Sequence, residues 1–152
     1  MITVVLPFSP EHYFEATLQQ FVQSPLVKKI IIAHDGTYLG TQHKCAGIKV
    51  DSLTSGKTLN AIINKISSNF LLFISQAQSI TLNQVALERL IHIARDTNAG
   101  MVYADFYEIK EGKRLEHPVI DYQLGSIRDN FDFGAVMFFS VSAIKKAIKR
   151  YG

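Results

Sequence analysis

The 152-residue chain has little cysteine and little charge. Its one cysteine, Cys45, excludes an internal disulfide and suits a reducing compartment. Charged residues make up 19% of the chain and the net charge is +3, without the clustered basic face that nucleic-acid binding calls for. We therefore expect an anionic ligand to be compatible with the chain but expect no nucleic-acid partner.

Long hydrophobic runs and a secretory signal are also lacking. The longest apolar stretch, residues 133–144, contains two serines and is shorter than the ~20 residues that span a bilayer. The opening "MITVVLPF" lacks the basic segment of a signal peptide. The expected location is cytoplasmic, with membrane association of a full-length protein left open.

What the sequence does contain is an alternation of buried strands and amphipathic helices. Apolar residues make up 47% of the chain, which is ordinary for one globular domain. Strands are predicted at 2–6, 28–33, 48–50, 70–74, 101–109 and 135–140, with a hairpin arm at 113–116. Helices are predicted at 10–22, 58–67, 82–96 and 142–150, the first capped by Ser9 and the third opened by a capping box at Thr81. This order predicts an α/β, Rossmann-like three-layer sandwich with a mostly parallel central sheet.

Ligands of such sheets bind at the carboxyl ends of the strands. The segments to consider are therefore those that follow the strands: Pro7-Phe8, His34-Asp35-Gly36, 51–57, 75–78 and Asp105.

One of these segments, "VDSLTSGKTLNAI" at 50–62, nearly matches a phosphate-binding P-loop. Asp51 stands where the first glycine belongs, and it would add negative charge beside the phosphate. The strand at 70–74 is followed by Ser75 rather than by a magnesium-binding aspartate. These differences disfavour a nucleoside triphosphatase. Two interpretations stay open: a simple turn and helix cap, or a helix N-terminus at which Lys57 meets a diphosphate.

Four motifs, in order, resemble those of family 2 glycosyltransferases. "ITVVLPFSP" is similar to the family's opening "VSVIIPTYN", and "VKKIIIAHDG" to its "IEIIVVDDGS". "SGKTLNAIINKISSNFLLFISQAQ" is similar to "GKxxALNxGIxxAxGEYILFLDADD", and "MVYADFYEI" to "VVYSDYY". The resemblance covers nearly the whole chain, so residues 1–152 are interpreted as one GT-A-like domain.

The resemblance implies transfer of a sugar from a nucleotide diphosphate, commonly UDP, to a glycan or lipid-linked acceptor, as in polysaccharide biosynthesis. It implies that Pro7 and Phe8 pass close to the base and ribose, and that His34 and Asp35 occupy the acidic pair that contacts uridine. The nucleotide-sugar-binding residues implied in this way are Pro7, Phe8, His34, Asp35, Lys57, Asn60, Ser75 and Gln78.

The sequence departs from the family at its metal-binding DxD motif. Ser75 and Ala77 stand where two carboxylates hold Mn²⁺ or Mg²⁺. A hydroxyl and a methyl cannot replace anionic oxygen ligands for a hard cation. His34, His43 and Cys45 match no zinc spacing, so no metal ligand is assigned. Three alternatives stay open: transfer without the usual metal, binding without catalysis, or a substitute ligand such as Asp105.

A second departure concerns the general base, which the family places after a "GGF"-like stretch. The sequence ends in "KRYG", and we expect it to be a fragment that stops before the acceptor-binding part. Asp129 and Asp132 are the nearest carboxylates, and no catalytic residue is assigned. The basic residues of 145–150 are either a solvated helix face or a contact with an anionic membrane.

Three hypotheses follow. The chain is the nucleotide-binding portion of a glycosyltransferase, a catalytically inactive GT-A-like domain that acts as a binding or scaffolding module, or a flavodoxin-like or other Rossmann-type regulator. The third explains the sheet but not the order of the motifs.

Overall fold

The computed structural model describes residues 1–38, 40–128 and 130–151. Asp129 and Gly152 therefore lie outside the described residues. The strands are β1 Ile2–Pro7, β2 Val27–His34, β3 Cys45–Lys49, β4 Phe70–Ile74, β5 Met101–Val102, β6 Phe106–Lys110, β7 Lys113–His117 and β8 Val136–Ser140. The helices are α1 Tyr13–Gln23, α2 Gly56–Ile63, α3 Gln84–Asp96 and α4 Val141–Tyr151.

Six strands form one sheet in the order β3-β2-β1-β4-β8-β5. Strands β1 to β4 pair in parallel, whereas β8 runs antiparallel to both of its neighbours. The predicted mostly parallel sheet is confirmed. The order differs from the 2-1-3-4-5 order of flavodoxin-like proteins, which argues against a flavodoxin-like regulator. The run β3-β2-β1-β4 is shared with Rossmann-type sheets, so it does not separate the chain from other Rossmann-type regulators.

The central strands are apolar throughout because both faces of the sheet are covered. Alternate residues of β1, such as Val4 and Leu6, pack in the cluster that contains α1 and α3. Val5 between them packs in the opposite cluster with α2 and α4. A strand buried on both faces needs no polar alternation, which is why its sequence is a continuous apolar run.

Two helix starts differ from the sequence prediction because nearby hydroxyl groups bond to the backbone at other positions than predicted. Helix α1 begins at Tyr13 rather than at Pro10, since the Ser9 hydroxyl accepts from the Glu11 N–H (3.2 Å) and holds a turn ahead of the helix. Helix α2 starts two residues early and ends at Ile63 rather than at 67, with the Ser55 hydroxyl accepting from the Thr58 N–H.

The predicted strand 101–109 is wrong as a single element. Its start, β5, joins the main sheet, while β6 pairs with β7 in a separate hairpin. The break falls at Tyr103, whose ring packs edge-on against Phe131 and Phe133 and whose hydroxyl donates to the Ile120 carbonyl. The predicted hairpin arm after the turn at 111–112 is confirmed as β7.

No helix in the described part of the chain combines the length and apolar character that crossing a bilayer requires.

The cap of α3 offers a test of the fold. Asn83, not Thr81, caps this helix, with its side-chain oxygen accepting from the Ala86 N–H at 2.8 Å. Asn83→Ala is expected to lower the free energy of unfolding by about 1 kcal/mol, because an N-cap bond is lost. Thr81→Ala, the matched control, is expected to change it by less than about 0.5 kcal/mol. Urea unfolding measures both, and a larger loss for Thr81→Ala would restore the capping-box assignment.

Candidate functional site

A cleft of ≈ 540 Å³ opens at the carboxyl edge of the sheet, where β1, β2 and β3 end. Its lining includes Pro7, Phe8, His34, Asp35, Val50 and Leu53. Four of the eight predicted site residues, those that follow β1 and β2, are therefore brought together in one cavity.

Phe8 forms the apolar wall of this carboxyl-edge cleft. Its N–H donates to the Ala33 carbonyl at 2.8 Å, which continues the pairing of β1 with β2 by one residue. Its ring lies 5.1 Å from the ring of Phe14 and 5.3 Å from that of Tyr38, centroid to centroid. The aromatic contacts fix the ring, and it remains part of the cleft lining.

Asp35 supplies a fixed negative charge beside that wall. Its Oδ1 accepts from the Thr37 hydroxyl at 2.7 Å and from the Thr37 N–H at 3.0 Å. The hydroxyl bond first, and then the backbone bond, hold the pKa of the Asp35 carboxyl below its ordinary value. The carboxylate therefore stays ionised and oriented at neutral pH.

His34 lines the cleft, and its ring lies beside Gly47 of β3. Its Nδ1 accepts from the Gly36 N–H at 3.0 Å, so the neutral ring carries its proton on Nε2. A β-carbon on Gly47 of β3 would lie 3.0 Å from that Nε2. A side chain at position 47 would therefore crowd the ring, a contact that sequence reasoning missed because it depends on the register of β2 with β3.

Lys49 is a second residue that the sequence prediction missed. It is the register partner of His34 across β2 and β3. Its Nζ lies 3.6 Å from the position that a β-carbon on Gly36 would occupy. Gly36 has a φ of +127°, a conformation that favours glycine, and the lysine ammonium lies beside this turn. The result is a cation near the rim of the cleft.

Lys57 and Asn60 lie on the same edge but outside the cleft lining. Both belong to α2, which follows β3 and begins at the carboxyl edge. Lys57 is exposed in the first turn. The Asn60 side chain donates to the Gly56 carbonyl at 3.1 Å, within its own helix.

Ser75 and Gln78 follow β4, the strand next to β1. The Ser75 N–H and hydroxyl both donate to the Ala135 carbonyl, at 2.9 and 3.4 Å. The Ala77 carbonyl accepts from the Tyr13 hydroxyl at 2.8 Å, and Gln78 is exposed. This segment is therefore anchored to β8 and α1, near the cleft but not in its lining.

The donor set at this segment does not fit a divalent cation. The Ser75 hydroxyl is engaged with a carbonyl, and Ala77 offers only a methyl side chain. The alternative ligand Asp105 accepts from the Val119 N–H at 2.8 Å. In the part of the chain that the structure describes, no three or more His, Cys, Asp or Glu side chains group as a metal site.

The bond between Thr37 and Asp35 gives a pH test. Thr37→Val is expected to raise the pKa of Asp35 toward its ordinary value, because the stronger of the two bonds is lost. Any stability that Asp35 gives the native chain is present above the unfolded pKa and lost as pH falls through the lower folded pKa. Carbon-13 NMR titration of the carboxyl measures the shift. Thr54→Val, at a hydroxyl paired with Ser52, is the control, and equal titration in all three proteins would contradict the assignment.

The sequence matches no family model and no curated protein. Solved structures share its fold at low identity. The 4-diphosphocytidyl-2C-methyl-D-erythritol synthase of Anaerococcus prevotii is 11% identical with a TM-score of 0.61, over 99% of this chain and 74% of that one. A CMP:2-keto-3-deoxy-manno-octonic acid synthetase solved with CTP is 9% identical with a TM-score of 0.59, over 98% of this chain and 77% of that one.

The S. aureus TarS segment 1–349 is 12% identical with a TM-score of 0.63. The match covers 96% of this chain and 48% of that segment, so the chain spans about half of its length. These likenesses show the fold: the chain has the GT-A-like, nucleotide-diphospho-sugar transferase fold.

Proposed function

We propose that the chain is the nucleotide-sugar-binding portion of a family 2-like glycosyltransferase that takes a UDP-linked sugar and transfers it to a glycan or lipid acceptor. The observation that carries the proposal is the cleft at the carboxyl edge, in which an aromatic wall at Phe8 and an ionised Asp35 face one cavity. Its volume of ≈ 540 Å³ lies in the range of small-molecule sites, about 300–1,000 Å³. A protein of the same fold was solved with CTP, which supports a nucleotide as the ligand.

The base of the nucleotide packs against Phe8 in this proposal, because a fixed aromatic ring offers a stacking surface at little entropic cost. Asp35 accepts a hydrogen bond from a base N–H or a ribose hydroxyl. Its Oδ1 is already occupied by Thr37, so Oδ2 is the oxygen directed to the ligand. His34 stands at the position of the family's second carboxylate. A carboxylate there would accept a hydrogen bond from the nucleotide, whereas the His34 Nε2–H donates one.

The diphosphate is expected to meet lysines rather than a metal ion. Lys57 lies in the first turn of α2, where the helix dipole also favours an anion. Lys49 adds a cation beside the turn at Gly36. Two ammonium groups supply part of the positive charge that a divalent cation would bring, and we derive no step through a metal.

A binding module without catalysis is the second candidate, favoured by Ser75 and Ala77 in place of metal-binding carboxylates. Such a binding module would hold the nucleotide in the same carboxyl-edge cleft. Turnover of a UDP-sugar by the unmodified chain, with an acceptor supplied, would exclude the module. Saturable donor binding without hydrolysis or transfer would favour it.

Contact with an anionic membrane is a further part of the proposal. Ile144 and Ile148 of α4 pack inward, whereas Lys146, Lys149 and Arg150 are exposed. An exposed basic face of this kind is attracted to anionic lipid headgroups.

Phe8→Leu tests the nucleotide site. It keeps an apolar side chain but removes the stacking surface, so affinity for UDP is expected to fall about tenfold. Isothermal titration with UDP, UDP-sugars and CTP, with and without Mn²⁺, measures it. Phe139→Leu, at a ring packed on the opposite cluster, is the matched control and is expected to change affinity by less than about twofold. Absence of binding by the unmodified chain to every nucleotide would overturn the proposal.

A further inference from the structure

A second cleft, of ≈ 520 Å³, opens at the opposite edge of the sheet. It lies where β4 begins at Phe70 and β8 ends at Ser140, between the end of α3 and the start of α4. Strand β4 has five residues and separates the two edges by about 16 Å, at 3.3 Å per residue. This amino-edge cleft is therefore a separate cavity from the proposed nucleotide site.

Two cations line the amino-edge cleft, Arg95 from α3 and Lys145 from α4. The Arg95 guanidinium lies 5.9 Å from the ring centroid of Phe70, which also lines the cleft, so the charged group is held over the cavity wall. Asn98, Ser140 and Ser142 add side chains that can donate hydrogen bonds. The described lining includes no carboxylate, and the local charge is positive.

The end of α3 does not oppose an anion in this cleft, because its last carbonyls already have partners. The Ala94 carbonyl accepts from the Ala99 N–H at 3.2 Å, and the Arg95 carbonyl from the Asn98 N–H at 3.3 Å. The Ile93 carbonyl accepts from both the N–H and the hydroxyl of Thr97. The negative end of the helix is thus largely satisfied within the chain.

The positive charge continues beyond the cleft along the same edge. Lys28 Nζ reaches the Ser67 hydroxyl at 3.5 Å, beside the lining residue Ser68. Lys29 Nζ donates to the Lys65 carbonyl at 3.3 Å, which brings two more lysines together. Lys28, Lys29 and Lys65 therefore add cations along the same edge as the cleft, whereas Asp96, the last residue of α3, is the carboxylate next to Arg95 in the sequence.

We propose that the amino-edge cleft binds a phosphate-bearing small molecule or headgroup, with Arg95 and Lys145 holding the phosphate and the serine hydroxyls and the Asn98 amide orienting it. Guanidinium and ammonium groups in one open cleft suit phosphate oxygens, with which they form charge-assisted hydrogen bonds. The site goes beyond nucleotide-sugar binding, and it stands whether or not the carboxyl-edge cleft takes UDP.

The test compares two double variants that remove the same number of positive charges. Arg95→Gln with Lys145→Gln removes the cations of the cleft. Arg89→Gln with Lys113→Gln removes one exposed cation from α3 and one from β7, both outside the lining. Pyrophosphate is titrated at constant ionic strength, and amide NMR shifts at Asn98, Ser142 and Lys145 give the dissociation constant.

The unmodified chain is expected to bind pyrophosphate saturably. The cleft variant is expected to bind pyrophosphate at least about tenfold more weakly, because charge-assisted bonds are lost, and the control variant less than about twofold more weakly.

Vesicles containing phosphatidylglycerol form the second arm, with phosphatidylcholine vesicles as reference. If the chain binds the phosphatidylglycerol vesicles but not pyrophosphate, and the cleft variant weakens this binding more than the control does, the phosphate belongs to a lipid headgroup. No binding in either arm, or equal weakening by both variants, would overturn the proposal. UDP affinity is measured in parallel and is expected to be unchanged by the cleft variant.

Discussion

The structure depends on the burial of β1 between β2 and β4. Its apolar side chains are covered on both faces, and its backbone pairs in parallel on both sides. Parallel pairing brings the ends of neighbouring strands to one edge, so Phe8, Asp35 and Ser75 all follow strands at the same edge of the sheet. The candidate site is a consequence of this constraint rather than of any single motif.

The same pairing explains which parts of the fold were predictable. A strand buried on both faces must be apolar throughout, so β1, β2 and β4 were evident from their sequences. The helix starts were not, because several nearby side chains can cap, and tertiary context selects one. Asn83 rather than Thr81 makes the bond at α3, and Ser9 closes a turn before α1. Likewise, the break at Tyr103 is set by its packing with distant aromatic rings.

The residues of the candidate site likewise divide into those that the sequence predicts and those that it does not. Positions after strand ends could be predicted from the rule that ligands bind at carboxyl ends, and this placed four residues in one cleft. Gly47 and Lys49 were missed because their roles come from the register of β2 with β3, which no local pattern encodes. Lys57 and Ser75 share the edge but not the cleft lining. Both belong to segments that follow strands, the family resemblance adds their place at the nucleotide, and their roles stay predictions.

Charged side chains at the two edges of the sheet are the basis of both proposed binding sites. At the carboxyl edge, the ionised Asp35 carboxylate is fixed by Thr37, and the Lys49 ammonium lies beside the adjoining turn at Gly36. The most direct measurement is an amide NMR map of the chain titrated with UDP. The account predicts that the largest shifts lie at Phe8, Asp35, Thr37 and the first turn of α2. Saturable shifts confined to other surfaces, or none at millimolar UDP, would contradict it.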